Sequence, residues 1–206
     1  MEIMNQLENL KKIAKTKLAK NDPAHDFEHV MRVYRNAEKI CKTESGNKKL
    51  ILSAVLLHDI IKTKNRKDSA LKSAKLSEKI LKENNFHDDE IKIISNAIKQ
   101  HSFSKGKIPS TIEGKILQDS DRLDAIGAIG LARVFSFSGS NNRPFYDPND
   151  PFSKNRVLND NRWALDHFYE KLLTLEKKMN TKTSKNLAKK RIKILKNFLK
   201  ELKNEI

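Results

Sequence analysis

The run LILSAVLLHDII, residues 50–61, constrains this chain more than any other stretch, because a nearly continuous apolar segment ends directly on His58 and Asp59. A helix over about Asn47 to Ile61 carries Leu50, Ile51, Ala54, Val55, Leu57 and His58 along an apolar stripe, so His58 is expected to turn inward. A charged Asp59 beside that stripe costs several kcal/mol if it is buried without a partner, and a bound cation offsets the cost. The dyad calls for a partner.

Two other stretches mix acids and apolar positions in the same way. HDFEHV begins at His25 and opens a helix from about Phe27 to Lys42, whose inner face is Val30, Val33, Tyr34, Ala37 and Cys41. His29 lies four residues before Val33 and eight before Ala37, so it looks inward as well. QDSDRLDAIGAIG holds Asp119, Asp121 and Asp124; Leu117, Asp121, Asp124 and Ala128 share one face by steps of three and four.

His29, His58, Asp59 and Asp121 offer two imidazoles and two carboxylates from three helices, a mixed nitrogen and oxygen set suited to a divalent cation rather than to a soft-thiolate site. Each member has a plainer account. His29 fits a hydrogen-bonded core histidine, His58 and Asp59 a helix-end pair without metal, and the acids from Asp119 to Asp124 a charged face beside Lys115 or Arg122. Their coincidence is more specific than any one of them.

Helical periodicity continues along the chain. Residues 2–20 form a first amphipathic helix, and NDP at 21–23 interrupts it. Further helices are expected over 69–84, from Ile91 into His101, and from Ile112 to about Phe137, the last either as one long helix or as two stacked ones broken near Gly127 and Gly130. Residues 138–155, with three prolines, read as a loop that is either a functional lid or poorly ordered. An aromatic-rich helix over Trp163 to Leu175 and a final helix from Thr183 or Ser184 to about Leu202, with Leu187, Arg191, Ile194, Leu195 and Phe198 near its inner face, complete the chain. His87 reads as a surface loop residue. Period-two alternation is scarce and no glycine-rich phosphate loop or paired CxxC occurs, so the fold class is all-α, and phosphate is held by metal or side chains.

With 206 residues, one compact domain over 1–206 is expected, its core motifs in 25–137 and its C-terminal helices, 155–204, packed on them. The single cysteine, Cys41, excludes an internal disulfide and fits a reducing compartment. No apolar run reaches the roughly 18 residues of a membrane span, and the first 20 residues lack a secretory core, so no membrane association and a cytoplasmic location are expected. The formal charge of +16 attracts anions without selecting one: dispersed lysine solvates a surface as readily as it lines a nucleic-acid groove.

HDFEHVMRV, LLHDI, KQHSFS, LQDSDRLDAIGAIGLAR, the FYDP loop and HFYEKLLTL resemble the HD-domain metal-dependent phosphohydrolases, in particular a bacterial and archaeal subgroup, over nearly the whole chain. The resemblance implies a compact HD-domain helical fold with His29, His58, Asp59 and Asp121 as metal ligands, and with Asp119 and Asp124 as supporting or substrate-side acids. Some members of that subgroup release pyrophosphate from a nucleoside triphosphate, which makes (deoxy)nucleoside triphosphate hydrolysis to the monophosphate and pyrophosphate the leading expectation. A phosphatase or phosphodiesterase acting on another phosphate ester or a nucleic-acid end is the alternative, and a noncatalytic nucleotide or nucleic-acid binding module is the third reading. Mn²⁺ is favoured, with Mg²⁺, Co²⁺, Fe²⁺, Ni²⁺ or Zn²⁺ as alternatives. Asp59, Asp26 and Glu28 are the candidates for taking the proton of the attacking water. His25, Lys62, Lys64, His101, Arg122, Asp124 and Lys171 are the candidates for substrate contact. The expected partner is a nucleotide or other phosphorylated small molecule, with nucleic acid less favoured, and the expected state is a monomer or homodimer.

Overall fold

A computed structural model of the chain describes residues 2–19, 26–63, 66–102 and 108–206, except for the side chains of 2–4 and 66–67. Its α-helices are α1 (Glu2–Leu18), α2 (Phe27–Ile40), α3 (Lys48–Leu57), α4 (Arg66–Glu83), α5 (Asp88–Gln100), α6 (Ile112–Asp124), α7 (Gly127–Ser140), α8 (Asp166–Glu170) and α9 (Lys182–Glu205). No strand occurs among the described residues, so the fold is all-α. The chain forms two compact units, residues 1–121 and 122–206.

The first unit is built around α3. Every residue from Leu50 to Leu57 is buried, and a helix that is apolar all round must be enclosed on every side. Helices α1, α2, α4 and α5 all pack against it. Asn47 starts it as an N-cap, its side chain accepting from Leu50 N at 3.3 Å, and Asp26 starts α2 in the same way, accepting from His29 N at 2.8 Å. Contrary to a helix running to Ile61, α3 stops at Leu57 and His58 is its C-cap. The stretch after the dyad is held by α4: Ile61 N donates to Ser73 Oγ and Thr63 N to Ser69 Oγ, both at 3.0 Å. Cys41 sits half-exposed at the end of α2, and Ile40 takes the buried position expected for it. His87 is the N-cap of α5, where its backbone N–H donates to Glu90 Oε2 at 3.0 Å.

Helix α6 is joined to its neighbours by polar bonds. Asn36 Nδ2 of α2 donates to Ser120 O at 3.1 Å, and Gln118 Nε2 donates to Gln100 O and His101 O at 3.3 and 3.4 Å. Asn36 and Gln118 are both buried, so these bonds fix where α6 presents Asp121.

In the second unit, the stretch expected as one helix or two is two. The chain turns at Ala125 and Ile126 and restarts at Gly127, whose φ of +80° is a left-handed conformation that favours glycine. Gly130 lets the first turn of α7 close on the turn: a Cβ there would stand 2.2 Å from Ala125 O. The Trp163–Leu175 helix is reduced to α8, followed by 3₁₀ turns at Leu172–Thr174 and Glu176–Lys178. There the backbone tightens to i→i+3 bonds, such as Leu175 N to Leu172 O at 3.2 Å. Residues 141–165 are pinned by side chains. Arg143 donates to Ser138 Oγ and Asp160 O, while Arg156 grips the buried Asp166 through two bonds of 2.6 and 2.8 Å. Helix α9 buries Ser184, Ala188, Ile192, Leu195 and Leu199, so its inner face is rotated from the expected one and Ile194 is exposed.

Candidate metal centre

Helix ends bring five side chains of the first unit together. His58 is the C-cap of α3 and His101 the C-cap of α5. The last carbonyls of a helix lack intrahelical donors. At both ends the histidine ring supplies one: His58 Nδ1–H donates to Val55 O and His101 Nδ1–H to Ile98 O, each at 2.7 Å. A carbonyl oxygen only accepts, so each Nδ1 carries the proton, and in the neutral ring Nε2 keeps its lone pair.

Those lone pairs converge on carboxylates. Nε2 of His58 lies 3.6 Å from Asp59 Oδ2, and Nε2 of His101 lies 3.6 Å from Asp59 Oδ1. His29, buried on the first turn of α2, places Nε2 3.5 Å from Asp121 Oδ1 and 3.9 Å from Asp59 Oδ2. The His58 ring stands 5.5 Å from that of His29 and 5.1 Å from that of His101, edge-on to the latter. The three imidazoles are buried, whereas Asp59 and Asp121 keep 25% and 30% of their side-chain surface, so solvent reaches the centre over its acids.

A divalent cation fits this arrangement. Two atoms each about 2.1 Å from one ion stand about 3.0–4.2 Å apart at angles of 90–180°, and the nitrogen–oxygen separations of 3.5–3.9 Å fall inside that interval. His58 Nε2 is fully buried and has no hydrogen-bond partner, a position that a cation would satisfy. His29, His58 and Asp121 form one such group and His58, Asp59 and His101 another, which share His58. Electrostatics run the same way. Burial holds His58 below the ordinary imidazole range and keeps it neutral. Burial alone would raise Asp59, but the surrounding histidines, His58 foremost, hold it well below the ordinary carboxylate range. Burial opposes protonation of His101, yet its hydrogen bond and attraction to Asp59 prevail and raise it. The site is a divalent-metal site of nitrogen and oxygen donors.

The family profile of the HD domain matches residues 26–126. A protein of Bacillus subtilis strain 168 called uncharacterized protein YpgQ is 32% identical over 211 residues, covering 100% of this chain and 96% of its own. The chain belongs to the HD-domain metal-dependent phosphohydrolase superfamily. Solved structures agree. An HD-superfamily hydrolase of Bacillus thuringiensis is 32% identical with a TM-score of 0.79, covering 98% of this chain and 97% of its own. The crystal structure of Bacillus subtilis YpgQ in complex with ADP is 29% identical with a TM-score of 0.81, covering 100% of this chain and 97% of its own.

Other residues of this HD-domain chain have different surroundings. Asp26 spends one carboxylate oxygen on the cap of α2, and Glu28 is exposed on the first turn of that helix. Lys62 is exposed three residues beyond Asp59. His25 and Lys64 lie outside the described residues. Asp119 is fully buried rather than substrate-facing. Two of the candidates for substrate contact are buried. Arg122 is buried with its guanidinium donating to Lys178 O, and Asp124 is buried in an ion pair of 2.5 Å with Arg133, so both serve the interior of the second unit. Lys171 is half-buried in the second unit, where its backbone N–H donates to His167 O.

The three-histidine cluster exceeds the two histidines that sequence spacing assembled. His101 had been grouped with substrate, yet it repeats the pattern of His58: Val55-x-x-His58 and Ile98-x-x-His101 both close an apolar helix with a histidine three residues beyond a β-branched residue.

Proposed function

We propose that this protein hydrolyses a (deoxy)nucleoside triphosphate to the monophosphate and pyrophosphate, using a divalent metal held by His29, His58, Asp59 and Asp121. The observation that carries this reading is the convergence of buried imidazole lone pairs on two solvent-facing carboxylates. The ADP complex of Bacillus subtilis YpgQ supports the substrate class, since ADP contains the α–β phosphoanhydride that this reaction cleaves.

A divalent ion in the site supplies Lewis acidity at phosphoryl oxygens and an attacking water of lowered pKa. Asp59 takes the water proton, being an ionised acid at the middle of the cluster with part of its surface open to solvent. Asp26 acts through the backbone: its cap fixes the first turn of α2 and with it the direction of His29. His101 restrains Asp59 Oδ1, the oxygen that His58 does not approach, and offers an N–H to a phosphate oxygen when protonated. Attack at the α-phosphorus forms one P–O bond and breaks the bond to the bridging oxygen, which leaves with pyrophosphate. Two imidazoles among the ligands favour Mn²⁺ over Mg²⁺, an ion that prefers oxygen donors, and the block of transition ions from Fe²⁺ to Zn²⁺ also suits the set. Location in the cytoplasm follows from this reading of a nucleotide substrate, and no described helix is long and apolar enough to cross a membrane.

A panel of ribo- and deoxyribonucleoside triphosphates, incubated with the Mn²⁺-loaded protein and separated by ion exchange, tests the proposal. Monophosphate and pyrophosphate are expected, and they disappear with Asp59→Ala. Diphosphate with inorganic phosphate would assign a phosphatase instead, and no turnover with any nucleotide and divalent ion would overturn the proposal.

A further inference from the structure

Helix α9 carries seven lysines in one line. Lys182, Lys185, Lys189, Lys193, Lys196, Lys200 and Lys203 follow one another at steps of three or four residues, and all seven are exposed. At 100° per residue they fall within an arc of about 80°, and at 1.5 Å per residue they extend over about 32 Å. Glu201 and Glu205, the acids of the helix, are turned about 80° or more from the row. Some lysines elsewhere meet acids, as in Lys11 with Glu8, Lys48 with Glu38 and Lys79 with Glu83. Among the described residues, none of the seven is in an ion pair.

We propose that this row is a binding surface for the phosphate backbone of nucleic acid, independent of base sequence. A duplex presents one negative charge per about 1.7 Å of its axis, so a straight row of about 32 Å faces a dense run of phosphates. Lysine is a compact point charge on a flexible stem and suits such contacts without demanding a fixed geometry. The row contains no aromatic side chain on which a base could stack, hence the contacts go to the backbone.

Other polyanions fit less well. A helix that lies on a lipid surface needs an apolar face, and α9 has committed its own to Ser184, Ala188, Ile192, Leu195 and Leu199 in the interior. Ile194 is the one large apolar side chain it exposes within its length. An acidic protein partner would be anchored by buried aromatic or aliphatic residues at the centre of the contact, and the row provides none.

The test uses the full-length protein and three probes: a labelled 20-base-pair DNA duplex, a 20-nucleotide single strand of mixed sequence, and phosphatidylserine vesicles. Two variants are compared, each losing five charges: K185Q/K189Q/K193Q/K196Q/K200Q in the row, and K12Q/K42Q/K72Q/K92Q/K154Q at exposed lysines scattered over the molecule. At about 50 mM salt the row variant should bind duplex about tenfold or more weakly than the wild type, with a shallower salt dependence, since each lost phosphate contact removes about 0.9 from the slope. The scattered variant should stay within about threefold of the wild type. The single strand should lose affinity in parallel if backbone charge alone is read. Equal losses in the two variants, failure of the wild type to bind either nucleic acid, or binding to vesicles alone would each overturn the proposal. Nucleotide turnover and melting temperature, measured on the same samples, should remain unchanged in both variants and so separate this result from the fate of the hydrolase reading.

Discussion

Asp59 Oδ1 stands 3.6 Å from Nε2 of His101, while its other oxygen, Oδ2, stands 3.6 Å from Nε2 of His58. One acid is therefore shared between the C-terminal ends of two helices, α3 and α5. Removing it exposes the buried imidazoles to one another without the negative charge between them. Asp59→Ala should lower kcat by on the order of 10³-fold, the equivalent of several kcal/mol of lost electrostatic stabilisation. Elemental analysis should show metal well below the wild-type stoichiometry. Wild-type metal content with full turnover would contradict the assignment.

His101 is expected to behave differently from the proposed ligands. If it orients Asp59 and contacts phosphate, His101→Ala should lower kcat by about 10–100-fold, as loss of a residue supporting a metal ligand typically does. Metal content should remain near that of the wild type. Loss of the metal together with activity would instead make His101 a ligand.

The pair between the half-buried Arg156 and the buried Asp166 organises the long connection between α7 and α8. Asp166 also accepts from Asn159 N at 2.7 Å and Ser153 Oγ at 3.3 Å, so one carboxylate gathers three parts of the loop. Asp166→Ala leaves Arg156 only its ion pair with Asp147 at 3.4 Å and should cost about 1–3 kcal/mol, read as a fall in melting temperature of roughly 2–12 °C.

Burial alone would raise the pKa of Asp166, but the bonds from Arg156 and Asn159 hold it below the ordinary carboxylate range. The unfolded chain then binds the proton more readily than the folded one, so stability rises with pH in this window. The contribution is complete above the unfolded value of about 3.9 and is lost as the pH falls through the lower folded value. Melting curves between pH 3 and 6 should show a shallower acid dependence in Asp166→Asn than in the wild type.

Gly127 and Gly130 give a graded pair. Gly127→Ala places a side chain at φ +80° and should cost about 1–2 kcal/mol. Gly130→Ala puts a methyl group against the Ala125 carbonyl and should cost more, because backbone must move. Chemical denaturation of the two variants checks the order; a smaller cost at Gly130 would show that the turn before α7 gives way easily.

Most of the helices were legible because their apolar periods are strong, and the dyad because His58 and Asp59 follow an apolar run. The end of α3 was harder to read: the sequence period carries on through Ile60 and Ile61, while the His58 ring closes the helix by satisfying a carbonyl from outside the period. The His101 ring closes α5 in the same way. Arg122 and Asp124 read as candidates for substrate contact because charge patterns do not reveal burial, and each has a partner far along the chain or across a turn, in Lys178 and Arg133. The rotation of α9 was masked by its small inner residues, since Ser184 and Ala188 carry little hydrophobic signal while Ile194 carries much.

The bonds from His58 to Val55 and from His101 to Ile98 make the last turn of each helix a latch on the histidine that ends it. When either turn unwinds, the carbonyl lets go of Nδ1, the ring regains rotation and tautomeric choice, and Nε2 loses its aim. Heating should thus release the cation while the apolar centre of α3 is still intact, so that thermal inactivation runs ahead of unfolding and excess metal closes the gap.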